Sequence, residues 1–316
     1  MSRPGPAPID ERQLFLVGLP RTGSTLLRHV LNRSPQVTIA SETHFMARAR
    51  RLRLGARLAA AAGAPAAERD ATLRTIASDL LAAGFWPWLR RNVAPDELER
   101  WLHDIEPSLR GVFGLLLEIY ADRTLPGPPD RRRVVGEKTP EHLASVPVLA
   151  RWFPEARFVH TIRDPRGVYA SRLRRAQQGE WGLKARLPWL PAAIANPVLP
   201  PIEAAYAARS WNAAARADAR LAGLLGERYL LVRFEDLVAS PEATVRRVCD
   251  FAGIAFSADL LAETDIVGSS FANQRHAGSG FDPTIADRWR REVHPFVRRL
   301  LGAATREQRE RLGYRR

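Results

Sequence analysis

The chain has 316 residues, 46% of them hydrophobic and 26% charged, which is the composition of a globular protein rather than a disordered or fibrous one. Its one cysteine, Cys249, excludes an intrachain disulfide and a cysteine-rich metal site, and its apolar helical neighbours favour a place in the core. The formal net charge of +14 would suit nucleic acid, an anionic membrane or acidic substrates, but no groove-reading motif accompanies it, so no nucleic-acid partner is expected.

Two stretches bear on location and domain organisation. Residues 1–12 lack the apolar run of a signal peptide and are predicted to form a flexible tail. The longest uncharged run, 187–202, carries five prolines and cannot be a spanning helix of about 20 residues. We expect a cytoplasmic protein without a membrane span, one folded domain over 13–304, and a frayed basic tail over 305–316. The sequence leaves the oligomeric state open.

The first structured stretch predicts a strand, a tight loop and a helix. Leu14 to Val17 is a short apolar run that suits a buried parallel strand. After a glycine-rich turn, apolar residues recur on one helical face from Leu26 to Leu31. This arrangement directs the N–H groups of the loop and the positive end of the helix at one point, which favours an anion and most naturally a phosphate.

The turn itself, Gly18 to Thr25, has the spacing of a P-loop, but Ser24 occupies the place of the P-loop lysine. That lysine reaches the β and γ phosphates in an NTPase, so its absence argues against ATP or GTP hydrolysis. The turn instead suits a donor with one phosphate at this position, backed by the guanidinium of Arg21. The alternative is an ordinary strand-to-helix turn.

The next stretch predicts a second short strand over 35–39 and then three or four short helices from Met46 to about Arg123. The first of these helices carries an arginine cluster, which could contact an acidic acceptor or could be a solvated face; its members are Arg48, Arg50, Arg51, Arg53 and Arg57.

A third strand is predicted to begin at Val134, followed by the segment GEKTPEH and a helix near Pro140. Lys138 is one of only two lysines among 48 basic residues, which suggests that the ammonium itself matters. An ammonium is a compact point charge that can follow a leaving oxygen, whereas a guanidinium is a broad planar fork. The alternative is a surface ion pair between Glu137 and Lys138.

A fourth strand is predicted over 156–162, ending in Arg163-Asp164-Pro165. Ligands of open α/β sheets bind beyond the carboxyl ends of the strands, so this turn should lie beside the first one. Arg163 could then take a second phosphate by a bidentate contact, assisted by the hydroxyl of Ser171. Asp164 could alternatively be a magnesium ligand.

The remaining elements complete an α/β fold. The proline-rich stretch 181–202 is interpreted as a lid or acceptor-binding loop, with disorder as the alternative. A helix over 203–225, a strand over 229–232 and a helix over 241–251 follow. The predicted fold class is a P-loop-like short parallel sheet flanked by helices, in a single domain with helical insertions.

Together these motifs resemble the sulfotransferases that use 3′-phosphoadenosine 5′-phosphosulfate (PAPS), from Leu14 to about Val293. In that family a loop such as PRTGST binds the 5′-phosphosulfate, and a segment such as that from Arg163 to Ser171 binds the 3′-phosphate. The stretch VRFEDLVASPEATV resembles the family's later strand-helix signature. The resemblance assigns the loop residues to the donor: Pro20, Arg21, Thr22, Gly23, Ser24 and Thr25.

Within the family the layout is most similar to the tyrosylprotein and heparan sulfate 3-O-sulfotransferases, and we expect a bacterial-type member. Both carry a glutamate base soon after the phosphate loop and its helix, where this chain has Glu42. Lys138 matches the lysine that assists the sulfuryl leaving group. Aryl and steroid sulfotransferases use a histidine after Lys-Thr, where this chain has Pro140, so His44 and His142 are the weaker candidates for the base.

The resemblance also implies the chemistry. A buried carboxylate of raised pKa would remove the proton as the acceptor hydroxyl attacks, and Lys138 and Arg21 would stabilise the departing nucleotide, so no metal is required. If this assignment is wrong, Glu42 is a capping or ion-paired residue. Related enzymes close a late loop over the 3′-phosphate, for which Arg275, Ser279 and Arg288 are the candidates.

The sequence thus predicts a PAPS-dependent sulfotransferase acting on a hydroxyl, with PAPS as co-substrate. The acceptor stays open among small molecules, glycans, lipids and peptide tyrosine. A P-loop-like small-molecule kinase and a non-catalytic anion or nucleic-acid binder are the alternatives. The kinase would need ATP with magnesium, and the binder would keep its activity in Glu42→Ala and lose affinity steeply with salt.

Overall fold

The computed structural model describes residues 13–82, 84–125, 134–177, 192–262 and 281–314, with the backbone alone for 192–198. In these ranges five parallel strands form one sheet in the order β2-β3-β1-β4-β5. The strands are β1 (Gln13–Gly18), β2 (Val37–Ser41), β3 (Val134–Lys138), β4 (Arg157–Ile162) and β5 (Tyr229–Arg233). All five lie where the sequence predicts strands, and the predicted α/β fold class is confirmed.

Helices cover both faces of the sheet, as the continuous burial of its central strands requires. In the first half of the chain they are α1 (Ser24–Leu31), α2 (Phe45–Arg51), α3 (Leu54–Ala62), α4 (Ala66–Leu81), α5 (Pro87–Asn92), α6 (Pro95–His103), α7 (Leu109–Thr124), α8 (Val146–Trp152) and α9 (Pro165–Gln177). Later come α10 (Ala192–Leu225), α11 (Phe234–Ala239), α12 (Pro241–Ala252), α13 (Thr284–Asp287), α14 (Trp289–Glu292), α15 (Pro295–Ala304) and α16 (Arg306–Arg311). Short 3-10 turns lie at Pro140–Ser145, Gly226–Arg228 and Ala258–Leu261.

Alternate residues of β1 divide the core into two layers. Phe15 and Val17 pack under α2 to α8 in one cluster, whereas Leu14 and Leu16 pack against α1, α11 and α12 in the other. Cys249 lies fully buried in the second cluster, and burial raises the pKa of its thiol to about 11, so its predicted place in the core is confirmed.

The parallel direction brings the carboxyl ends of all five strands to one edge. In the strand register, Lys138 lies opposite both Leu16 and Ser41, and Gly18 lies opposite Thr161. Neighbouring strands are about 4.8 Å apart, so the residues that follow β2, β3 and β4 flank the loop after β1 at close range. Arg21, Glu42, Lys138 and Arg163, for which the sequence predicts roles, all lie at this edge.

Several helix boundaries differ from the predictions. Six helices, not three or four, occupy the described residues between Phe45 and Thr124. At four of the five breaks a Gly or Pro lies in the break or begins the next helix, and the break between α2 and α3 lies at Arg53, whose backbone is left-handed with a φ of 51°. Helix α10 begins at Ala192 and continues through Pro200 and Pro201, so residues 192–202 are helical and not an irregular loop. Residues 181–191, the rest of the expected lid, lie outside the described residues.

The late helices also differ. The expected helix from Ile285 to Leu301 is three short helices, interrupted where His294-Pro295 removes a backbone donor. Helix α16 is packed and not frayed, since Gln308, Arg309 and Tyr314 are all buried. Arg311 joins it to α10 through an ion pair with Asp218 at 2.9 Å. Among the described helices, none is long and apolar enough to cross a membrane.

Candidate active site at the carboxyl ends of the strands

The loop between β1 and α1 is shaped by crowding at its two glycines. A Cβ atom at Gly18 would lie 2.3 Å from the Thr161 carbonyl, and one at Gly23 would lie 2.6 Å from the Phe234 ring. Gly23 also has a φ of 90°, and Arg21 adopts a left-handed φ of 78°. A non-glycine residue pays for this conformation in strain, which typically persists only at functional turns. The glycine spacing therefore has a steric basis.

Side chains of this loop brace it against β4 and α9. The Thr22 hydroxyl donates to the Leu19 carbonyl at 2.7 Å and shares a hydrogen bond with the Thr161 hydroxyl at 2.8 Å. Any contact of Thr22 with a ligand would therefore come from its backbone. Arg21 Nε donates to Ser171 Oγ at 2.7 Å. The two anion sites that the sequence predicts separately are thus joined by a direct hydrogen bond.

Arg163 follows β4 and is buried. Its guanidinium lies 4.2 Å above the Phe234 ring, and one terminal nitrogen donates to the Ile285 carbonyl at 2.9 Å. Its buried Nε has no hydrogen-bond partner among the described residues. Burial lowers the pKa of this guanidinium, against the opposing pull of Glu235 and Asp164. A buried cation with an unmet donor is a group that an anion would stabilise.

Both carboxylate oxygens of Asp164 accept hydrogen bonds from Arg166. Its Oδ1 accepts hydrogen bonds from the backbone and Nε of Arg166 at 2.8 and 2.9 Å, and its Oδ2 accepts one from the same guanidinium at 2.6 Å. Both oxygens therefore serve an arginine, which does not fit the alternative of a magnesium ligand. Among the described residues, no group of three or more His, Cys, Asp or Glu is arranged to hold a metal ion.

On the other side of the loop, Glu42 and Lys138 form an ion pair. The Glu42 backbone donates to the Lys138 carbonyl at 2.9 Å, which extends the β2-β3 pairing by one residue and sets the two side chains beside each other. Lys138 Nζ donates to Glu42 Oε1. Lys138 is 2% exposed, whereas the Glu42 side chain is 40% exposed and open to an incoming molecule.

The electrostatics of this pair differ from the expected raised pKa. Burial acts to raise the pKa of the Glu42 carboxyl, but the contacts with His44 and Lys138 outweigh it and hold the pKa at about 2. Burial lowers the pKa of the Lys138 ammonium, and Glu42 opposes this shift. The expectation of a raised carboxylate pKa is therefore wrong for this arrangement, because the two charges neutralise each other.

His44 lies between two carboxylates. Its Nε2 is 3.7 Å from Glu42 Oε2 and its Nδ1 is 3.6 Å from Glu141 Oε2. The Glu42 contact is the main reason that the pKa of His44 is raised. Its backbone is left-handed, with a φ of 49°. His44 is therefore paired with carboxylates on both sides.

A buried network behind the pair went unnoticed in the sequence. The Glu137 carboxylate, 1% exposed, accepts hydrogen bonds from the Thr43 backbone at 3.0 Å, the Thr43 hydroxyl at 2.8 Å and the Thr139 hydroxyl. His142 Nδ1 lies 3.0 Å from it, without hydrogen-bond geometry. Glu137 and Lys138 thus point to opposite faces of β3, and the alternative of a surface ion pair between them is wrong. Strand alternation was the signal that could have shown this.

The arginine cluster of the first helices is divided in its contacts. Arg48 donates to the Thr43 carbonyl at 2.7 Å, and Arg57 pairs with Asp79 at 2.6 Å. The remaining members, Arg50, Arg51 and Arg53, are exposed.

Among the described residues, the late segment reaches the site through two residues that the sequence does not predict. Arg275 and Ser279 lie outside the described residues, and Arg288 pairs with Glu292 at 3.8 Å. Instead, the Ile285 carbonyl contacts Arg163, and the Trp289 ring lies 3.8 Å from the Arg166 guanidinium. A carbonyl and a stacked ring leave no motif in a sequence.

The candidate site has two ends, each formed by three residues. We call Arg21, Arg163 and Ser171 the arginine end of the site, and Glu42, His44 and Lys138 the carboxylate end. The first combines the buried guanidinium of Arg163 with the half-buried guanidinium of Arg21, a set suited to an anion. The second combines an accessible carboxylate with a buried ammonium, which is a set suited to removing a proton while a negatively charged group departs.

Comparison with known proteins gives one family. A model described as the sulfotransferase family matches residues 13–258. The omega-hydroxy-beta-dihydromenaquinone-9 sulfotransferase of Mycobacterium tuberculosis is 27% identical over 164 residues, 51% of this chain and 36% of that protein. Protein-tyrosine sulfotransferase A of Caenorhabditis elegans is 23% identical over 260 residues, 82% of this chain and 54% of that protein. The chain thus matches about a third to a half of the length of these relatives.

Solved structures share the fold. The sulfotransferase domain of the Synechococcus PCC 7002 olefin synthase superposes with a TM-score of 0.59 at 22% identity, covering 100% of both chains. The sulfotransferase domain of the curacin biosynthetic pathway gives a TM-score of 0.59 at 21% identity, covering 98% of this chain and 99% of that one.

Proposed function

Because the chain belongs to the sulfotransferase family, we propose that it transfers the sulfuryl group of PAPS to a hydroxyl acceptor. The observation that carries this proposal is the hydrogen bond from Arg21 to Ser171. It joins the loop after β1 to the helix that follows β4. Strand β1 is the neighbour of β3, which carries Lys138, so the loop lies one strand spacing from the Glu42–Lys138 pair. A nucleotide with phosphates at both its 5′ and 3′ positions matches two joined anion sites better than a triphosphate does.

The arginine end would hold the donor. The loop from Pro20 to Thr25 presents its backbone N–H groups and the start of α1 to the 5′-phosphosulfate. Arg163 and Ser171 would take the 3′-phosphate, since the Arg163 Nε is buried and unpaired among the described residues. Arg21, which donates a hydrogen bond to Ser171, would contribute to both sites.

The carboxylate end would carry the transfer. When bound, PAPS supplies the sulfuryl group and a bisphosphate nucleotide as the leaving group. Lys138 would turn from Glu42 towards the bridging oxygen and stabilise the charge that develops there. That movement would release Glu42, raise its pKa from about 2, and leave a carboxylate able to accept the proton of the acceptor hydroxyl. His44 would orient this carboxylate through its Oε2.

The acceptor is proposed only as a hydroxyl compound. The names of the two relatives specify a hydroxylated menaquinone and protein tyrosine, and both therefore offer a hydroxyl to the sulfuryl group. The exposed Arg50, Arg51 and Arg53 on and after α2 are near enough in sequence to Glu42 to meet an acidic part of such a molecule.

Calorimetric titration with adenosine 3′,5′-bisphosphate, the spent donor, tests this function. We expect binding that weakens in Arg21→Ala and Arg163→Ala. ATP with magnesium, titrated in parallel, tests the kinase alternative. Binding of ATP with magnesium in place of the bisphosphate would overturn the sulfotransferase proposal.

A further inference from the structure

The segment 281–314 lies outside the region that the family model matches, yet it contacts Arg163 of the arginine end and several residues around it. The Ile285 carbonyl accepts from Arg163, and the Trp289 ring stacks on Arg166. A third contact is less direct and starts at Tyr314, which is 4% exposed. Its ring packs edge-on against Trp211 at 6.1 Å and lies 4.2 Å from the guanidinium of Arg233.

Both polar groups of the Arg163–Asp164 peptide are held by side chains from other elements. The Trp211 indole donates to the Arg163 carbonyl at 2.8 Å. The Asp164 N–H donates to Glu235 Oε1, also at 2.8 Å. The Tyr314 hydroxyl donates to the other oxygen of Glu235 at 3.1 Å. Tyr314, Glu235 and the Arg163 turn therefore form one chain of hydrogen bonds.

The opposite charges of Glu235 and Arg163 give this chain of hydrogen bonds a bearing on anion binding. The Glu235 carboxylate acts on the Arg163 guanidinium as its strongest opposing charge, and Arg163 acts on Glu235 in return. Yet both carboxylate oxygens are directed at neutral donors, the Asp164 N–H and the Tyr314 hydroxyl. A carboxylate that turned onto the guanidinium would occupy the donors that a phosphate needs.

We propose that Tyr314 and Glu235 are positioning residues for the donor's 3′-phosphate, because the Tyr314 hydroxyl holds the Glu235 carboxylate away from Arg163 and keeps that guanidinium free for the phosphate. The inference rests on the proposed function, in which Arg163 binds this phosphate. It assigns to the segment 281–314 a part in donor selection.

The test compares two nucleotides that differ only in the 3′-phosphate, adenosine 3′,5′-bisphosphate and adenosine 5′-monophosphate, titrated calorimetrically into the full chain at mildly alkaline pH. In Tyr314→Phe the Glu235 oxygen that loses its donor would turn towards Arg163 and compete with the phosphate. We expect the affinity for the bisphosphate to fall about tenfold, which corresponds to the usual cost of one unpaired buried acceptor. The affinity for the monophosphate should not change. The ratio of bisphosphate affinity to monophosphate affinity should therefore also fall about tenfold.

Glu235→Gln is the second variant, titrated with the same two nucleotides. The amide oxygen still accepts from Asp164, but the charge that competes with the phosphate is gone. We expect a rise in bisphosphate affinity in the single variant, and recovery of the loss when Glu235→Gln is combined with Tyr314→Phe. Because Glu235→Gln does not depend on the tyrosine substitution, it remains informative even if Tyr314→Phe does not fold.

Tyr206→Phe is the matched control, since Tyr206 is 53% exposed and stacks on Arg172 away from this chain of bonds. It should leave the ratio unchanged. An unchanged ratio in Tyr314→Phe, an equal loss for both nucleotides, or a fall in bisphosphate affinity in Glu235→Gln would each overturn the inference while the proposed function stands. A wild-type protein with no preference for the bisphosphate would instead overturn the donor assignment and the inference with it.

Discussion

The two ends of the candidate site carry their charges differently. At the carboxylate end, Lys138 is already paired with Glu42, and His44 lies between Glu42 and Glu141. At the arginine end, Arg163 is buried with an Nε that has no hydrogen-bond partner among the described residues. The charges of the carboxylate end are therefore paired with each other, whereas the arginine end keeps a buried donor that an anion could accept from.

This difference indicates an order of events. In the proposed function, the arginine end would receive phosphate without rearrangement, because its arginines are already held by Ser171 and by the Ile285 carbonyl. The carboxylate end must first separate its ion pair, since a carboxylate with a pKa near 2 is a weak base. Donor binding would supply the competing negative charge that draws Lys138 away. The predictions below test this contrast.

The largest effect is expected for Glu42→Gln. The amide keeps the size of the side chain but cannot accept the proton, so kcat should fall about a thousandfold, while the affinity for adenosine 3′,5′-bisphosphate is unchanged or higher. The rate of nucleotide release from PAPS, with the best acceptor from a panel of hydroxyl compounds, measures this. Glu141→Gln, which alters the exposed carboxylate on the other side of His44, is the control and should retain most of the activity. Equal losses in both variants would refute the assignment of Glu42 as the base.

Lys138→Ala should rank next, with a loss of about a hundredfold or more in kcat because the leaving group then departs without a charge partner. The same assay measures it. Lys138→Arg keeps the charge but presents a planar fork in place of a compact ammonium, so it should recover only part of the rate. Full activity in Lys138→Ala would show that the ion pair with Glu42 is structural.

Arg163→Ala should act on binding at the opposite end of the site. Loss of charged hydrogen bonds should weaken bisphosphate binding about ten- to a hundredfold, with little change for adenosine 5′-monophosphate. Calorimetry with both nucleotides measures this. Arg209→Ala, on the exposed side of α10, is the control for lost charge. A uniform loss for both nucleotides would place Arg163 outside the 3′-phosphate site.

The smallest effect concerns the pKa of Glu42. Since His44 contributes to holding that pKa at about 2, His44→Gln should raise it towards the ordinary value of 4.5. The carboxylate would then take up its proton at a higher pH, and any acid loss of activity should begin at a higher pH than in the wild type. Carbon-13 NMR titration of labelled glutamate, assigned against Glu42→Gln, measures the shift. An unmoved or lowered pKa would mean that His44 does not act on Glu42.

Much of the fold could be predicted because its signals are local. The run from Leu14 to Val17, the glycine spacing after it and the β-rich stretch ending at Ile162 each specify a strand or turn without reference to the rest of the chain. Prolines are less informative: Pro200 and Pro201 favour an irregular segment over a helix, yet α10 passes through them. A proline removes one donor and disfavours a helix locally, but packing of a long helix against its neighbours can outweigh that cost.

The sequence by itself determined which residues follow which strand, and hence that Arg21, Glu42, Lys138 and Arg163 meet at one edge of a parallel sheet. It did so because strands, glycine turns and chemically distinctive side chains are encoded over a few positions. Only the tertiary structure decided how these groups are paired: that Lys138 neutralises Glu42, that Glu137 lies behind them, and that Tyr314 reaches Glu235 from far along the chain. Pairing and pKa depend on distance and burial between elements remote in sequence, and no local pattern records them.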